Sequence, residues 1–348
     1  MYKKIFMGIA AAAALTLVSC SSDDLNSLSD NSSKNEAISF DGYLGRSAVS
    51  VNGSRGSVLE IDDLKKSTDG FGVFGNYTAT GNTTAYGKNW FDNQPVTYKT
   101  SAWTYDPVKY WLPKGHIDFL AYAPYVEGTT LKNTSCIEFT VADNAANQKD
   151  LLWANAANKT KDNISTTGNK VKFQFAHALS RLGYTVKLNK VYPDATFTLT
   201  KITLAGSADG TEKAFYTTGT IDLSKDNQAT DLWKISTPAT KQKFDWFSGT
   251  QTLATTDYKN SDTEYLFVIP QNFSASATDK LYVIVEYTIK GYNGVTTPMT
   301  NTVRKQLDKK FEQGKAYTIN LTIGLTPIEF EADVTPWADG DNEDITWN

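Results

Sequence analysis

The sequence predicts an all-β chain of two β-sandwiches in tandem, and three observations predict it. Apolar and polar residues alternate over 117–122, 171–175, 184–188, 197–204, 265–269, 281–289 and 317–325, the pattern of strands with one face on a core. Turn signals such as Asp209-Gly210 and Asn293-Gly294 separate these runs. The chain of 348 residues carries 18 Tyr, 17 Phe, 8 Trp and 23 Gly beside abundant Thr and Asn, a palette suited to pleated surfaces. The Ala- and Asn-rich stretch 143–158 breaks the alternation and is expected to be helical or irregular.

In chain order, Lys3 and Lys4 precede an apolar run of residues 5–18, too short to span a bilayer comfortably. It ends in Leu17-Val18-Ser19-Cys20, which resembles a bacterial lipobox. The resemblance implies cleavage after residue 19 and lipid on the Cys20 thiol, with several acyl chains anchoring the protein stably. Residues 20–36 are Ser-, Asp- and Asn-rich and read as a flexible polar linker. The pair Asp23-Asp24 looks like a surface-export signal. The first sandwich is expected over 37–165 and the second over 166–348, with the boundary in the polar stretch 155–170. The second cysteine, Cys136, lies in a strand-like run and reads as a small core residue.

Chemistry-bearing motifs are scarce. The net charge of −4 offers no basic track for nucleic acid. Nucleotide-binding glycine loops, HExxH and GxSxG are absent. Only His116 and His177 are available as bases. Ser180 stands near His177, but no acid at a telling position completes a triad, so both histidines read as structural and no catalytic residue is assigned. Asp143, Asp150, Asp339, Asp341, Glu343 and Asp344 could be cation ligands, yet the tail lacks the glutamate of an EF-hand loop, and no metal or cofactor is assigned. Trp90, Trp103, Trp111 and Trp246 could stack on sugars or fill cores; core filling is the expected use.

An ordered set of segments resembles the fimbrillin family, the type V pilus subunits of Gram-negative anaerobes. The set begins with the lipobox and Ile38-Ser39-Phe40. It continues with Asp69-Gly70-Phe71-Gly72-Val73-Phe74-Gly75, the segment from Trp103 to Pro113, and Gln148-Lys149-Asp150-Leu151-Leu152. It ends with Phe175-Ala176-His177-Ala178-Leu179-Ser180-Arg181-Leu182, the segment from Phe311 to Leu321, and Val334-Thr335-Pro336-Trp337. The resemblance implies two transthyretin-like β-sandwiches and a lipoprotein of the outer membrane, exposed at the surface. It also implies an arginine-directed protease that frees the first strand, and assembly with other pilus subunits by β-strand exchange.

The residues offer both sides of such an exchange. Ile38, Phe40 and Leu44 alternate with polar neighbours as an expendable first strand should, and Ile328, Phe330 and Val334 do so as a donor strand. Before assembly the donor segment is expected to be spare. Arg55, in Asn52-Gly53-Ser54-Arg55-Gly56-Ser57, is the preferred cleavage site, with Arg46 as the alternative. The function expected is that of a stalk subunit in an adhesive fibre. The alternatives are a tip or anchor subunit and a surface glycan-binding lipoprotein.

Overall fold

The structure, a computed structural model, describes residues 36–44, 61–226, 229, 231–261, 264–325 and, as backbone, 329–336. Cys20, Arg46, Arg55, Ile328 and the acidic tail lie outside the described residues. The first part holds β1 (Phe40–Leu44), α1 (Ile61–Lys66), β2 (Phe71–Thr78), β3 (Phe91–Lys99), β4 (Ala102–Thr104), β5 (His116–Ala123), β6 (Cys136–Thr140), β7 (Leu152–Lys159) and β8 (Val171–His177). The second holds β9 (Ser180–Leu188), β10 (Thr196–Ala205), β11 (Phe215–Tyr216), β12 (Thr218–Asp222), β13 (Trp233–Ile235), β14 (Lys241–Gln242), β15 (Phe244–Thr252), β16 (Tyr258–Lys259), β17 (Leu266–Val268), β18 (Gln271–Asn272), β19 (Tyr282–Lys290), β20 (Met299–Gln306), β21 (Lys310–Phe311), β22 (Lys315–Ile323) and β23 (Glu329–Pro336). The expected all-β class holds. The stretch read as helical or irregular contains a short 3₁₀ turn, Ala145–Asn147, and then becomes β7.

Seven strands make the first sheet, in the order β1-β8-β7-β5-β2-β3-β4. The sheet curls over its own core: the rings of Phe40 in β1 and Phe91 in β3, five places apart in that order, stand 5.6 Å from centroid to centroid. Central β5 is buried along its whole length. Its Ile117, Phe119, Ala121 and Ala123 enter the core inside the curl, while Leu120 and Tyr122 enter a second cluster on the opposite face.

In the second half two sheets face each other, β15-β10-β19-β20 and β16-β9-β22-β23, with β17 also on β9. Alternate residues from both fill one core: Leu182, Tyr184 and Val186 from β9, Tyr317, Ile319 and Leu321 from β22, Val283, Val285 and Tyr287 from β19. On β10 the inward positions change parity, from Phe197 and Leu199 to Ile202 and Leu204, because a register shift between Leu199 and Lys201 inserts one residue.

The expected boundary is corrected. Residues 171–177 form β8 inside the first sheet, paired with β7 and β1. The chain changes sheet at Ala178-Leu179, both fully buried. The polarity of 155–170 comes from the outward residues of β7 and from turns at the rim. The halves are further joined by the sheet β13-β12-β6, in which β6 pairs antiparallel with β12, and by a shared cluster of Phe74, Leu120 and Trp153 with Ile221, Phe267 and Ile269.

Candidate functional site

The segment from Glu36 to Leu44 sits in a slot with backbone partners on two sides. Its first residues bond to the chain before β5: the Ile38 amide donates to the Lys109 carbonyl at 2.8 Å, and the Trp111 amide donates to the Glu36 carbonyl at 3.0 Å. From Phe40 onward it runs parallel to β8, with Phe40 opposite Val171 and Leu44 opposite Phe175. The Tyr105 hydroxyl adds a third hold, donating to the Ile38 carbonyl at 2.8 Å. Burial pushes the Tyr105 pKa up to about 12, although a hydrogen bond with the Lys109 backbone works against the rise.

The alternation read in this segment is realised. Ile38, Phe40 and Gly42 are buried, Leu44 is half-buried, and Tyr43 is exposed. Phe40 fills a ring-lined seat made by Tyr105 at 5.3 Å, Phe91 and Phe119 at 5.6 Å each, and Phe173 at 5.7 Å between centroids. Two large apolar side chains buried in this way contribute roughly 3–6 kcal/mol before entropic costs. Sequence periodicity could not find the wall made by 109–111. Pro107 and Pro113 flank it, and the stretch reads as loop.

The expected donor segment lies elsewhere and is not spare. The backbone of β23 runs antiparallel along β22 from Thr322↔Glu329 to Lys315↔Pro336, with Phe330 opposite Leu321 and Val334 opposite Tyr317. It is an edge strand of its own second half. An alternating apolar strand beside an unpaired edge gains a full ladder by closing on it, which is why the segment is taken up at home.

The histidines are buried, each against a carboxylate. His177 Nδ1 lies 2.7 Å from Asp150 Oδ2, and His116 Nε2 lies 3.2 Å from Asp118 Oδ2. An acid for His177 therefore exists, 27 positions away in the chain, where local reading could not find it. Ser180 does not complete a triad: its hydroxyl donates to the Glu312 carbonyl at 2.7 Å. These contacts belong to the junction between the sheets. The Trp233 indole donates to the Ala178 carbonyl at 2.7 Å, and the Gly314 amide donates to the Leu179 carbonyl at 2.9 Å. Gln148 links both halves, accepting from the Phe267 amide at 2.7 Å and donating to the Ala142 carbonyl at 3.0 Å.

The remaining candidates are placed as follows. Asp143 is exposed and Asp150 is engaged with His177. Among the described residues no group of three or more His, Cys, Asp or Glu is arranged to hold a metal ion. Trp103, Trp111 and Trp246 are buried and Trp90 is half-buried, so these four do not form an exposed sugar platform. Cys136 is half-buried in β6, and burial pushes its thiol pKa up, which lowers its thiolate fraction.

The architecture has a counterpart among solved structures. A fimbrial protein from Bacteroides vulgatus is 22% identical, with a TM-score of 0.63 over 86% of this chain and 99% of that one. A protein from Bacteroides ovatus named for cell adhesion is 15% identical, with a TM-score of 0.49 over 88% of this chain and 99% of that one. No curated protein matches. The family model described as fimbrillin-like matches residues 59–337, most of the sequence, and the chain belongs to the fimbrillin-like family.

Proposed function

We propose that the chain is a structural subunit of a surface pilus, assembled by exchange of its first β-strand. The observation that carries this reading is the seat of residues 36–44. The segment is bound through backbone ladders and two buried side chains, and it joins α1 only through residues 45–60, which contain Arg46 and Arg55. A cut in that connection leaves the strand held by non-covalent contacts alone. Its departure bares the edge of β8 and the seats of Ile38 and Phe40, a combination that a strand from another subunit can satisfy by β-strand addition.

Lipid on Cys20 would hold the precursor at the outer membrane until an arginine-directed protease acts at Arg55 or Arg46. A stalk subunit must also donate a strand. The pairing of Glu329–Pro336 at home favours a donor toward Trp347, the alternative being β23 peeled from β22. A tip subunit would accept a strand without donating one, and an anchor would keep its lipid and escape cutting.

The test is a chain with one engineered protease site in residues 47–55. After cutting, light scattering and electron microscopy should show polymers in place of monomers. A cut chain that releases residues 36–44 and stays monomeric with other subunits present would overturn the exchange.

A further inference from the structure

We propose that the slot selects its incoming strand by size at the position of Gly42, with Phe175 as the gate. The proposal rests on the strand-exchange reading above and names the chemistry of the partner.

Three inward positions of the seated strand differ sharply. Ile38 and Phe40 are large, and two residues further on the side chain vanishes at Gly42. The backbone there does not ask for glycine. Gly42 is absent from the glycines with positive φ and lies in regular register opposite Phe173. A glycine inside a strand weakens it, and one retained without a conformational need marks a close approach. The approach is by Phe175: a Cβ on Gly42 would stand 3.0 Å from Phe175 Cε2 and 3.5 Å from Ile61 Cδ1.

Phe175 is not free to swing aside. It is 1% exposed, lies edge-on to Phe71 at 5.5 Å and stands 6.0 Å from Phe173, while Phe71 itself is backed by Trp103 at 4.8 Å. A methyl group needs Phe175 to yield by a few tenths of an ångström. A branched side chain needs the whole aromatic stack to move.

The gate also fixes register. A one-residue slip turns Ser39, Asp41 and Tyr43 inward, and a slip of two residues drives either a leucine or a phenylalanine against Phe175. The slot therefore takes a strand of another polypeptide that reads large aliphatic, any, aromatic, any, glycine, any, aliphatic. The segment from Ile328 to Val334 carries Ile, Phe, Ala and Val at the same spacing, with alanine at the gate position. That segment of a second copy, if it were the donor, is thus a weaker fit than a strand bearing glycine there.

The experiment uses the full chain, cut once in residues 47–55, and measures uptake of fluorescent peptides in place of the resident strand. The probes are the 36–44 peptide, its Gly42→Ala and Gly42→Val forms, and a 326–336 peptide. We expect the Val form to lose roughly 100-fold in affinity, the Ala form and the 326–336 peptide about 10-fold or less, and Phe175→Leu in the protein to restore most of the Val loss. A Val peptide within about 3-fold of the parent overturns the gate while leaving strand exchange intact. Failure of the parent peptide to enter overturns strand exchange itself. The gate is then judged in the uncut chain: Gly42→Val should lower the melting temperature and Phe175→Leu should recover it, and absence of recovery overturns the gate there too.

Discussion

The imidazole Nδ1 of His177 lies 2.7 Å from Oδ2 of Asp150, and both side chains are buried where the chain leaves one sheet for the next. The pair spans the last residue of β8 and the residues leading into β7, beside an Ala178-Leu179 link with no exposed surface to flex on. Removing either partner deprives the other of this buried contact. Asp150→Ala and His177→Ala should each destabilise the fold by roughly 3 kcal/mol in urea unfolding, with a double mutant far less than additive. Additive costs, or a loss of only a few tenths, would show that the pair does not lock the junction.

Tyr105 reports on the slot through alkaline pH. Its folded pKa, pushed to about 12, lies above the ordinary 10.0, so the protonated phenol is favoured by folding. The resulting stability is complete below pH 10 and is lost as pH rises through about 12. Tyr105→Phe should remove that fraction of the alkaline loss. It should also cost about 1 kcal/mol at neutral pH through the missing bond to the Ile38 carbonyl. Identical pH-stability curves for the two proteins would contradict the assignment.

Phe40→Ala empties the four-ring seat and should destabilise the first half by about 3–5 kcal/mol. The same change should speed departure of residues 36–44 after cutting, measured by mass spectrometry of the released peptide. Tyr43→Ala, on the exposed face, is the control and should change neither quantity appreciably.

Two truncations locate the donor. A chain ending at Pro336 keeps β23 and should match the full chain in stability, but once cut it should no longer polymerise if the donor lies toward Trp347. A chain ending at Gly324 removes the ladder on β22 and should unfold at lower urea. Undiminished polymerisation by the Pro336 chain would return the donor role to β23.

Several segments that looked unrelated in the sequence converge at the junction. Gln148 and Asp150 come from one, His177 to Arg181 from a second, and Glu312 and Gly314 from a third. The second segment, read alone, offered a histidine and a serine but no acid, and the histidine reads as structural. In space the serine is bonded to a main-chain carbonyl and the acid serves a buried joint.

What the amino-acid order settled by itself is local. Alternation located the runs that became β8, β9, β10, β19 and β22, and it put Ile38 and Phe40 on the inward face, because side-chain direction along a strand is set by the backbone's two-residue repeat. What only tertiary structure decided is which strands meet. Alternation says nothing about a partner, so the home pairing of β23, the wall at 109–111 and the change of sheet at Ala178-Leu179 emerged only when distant segments closed on one another. The same holds for β5, whose burial on both faces depends on two cores, one built from the first half and one shared between the halves.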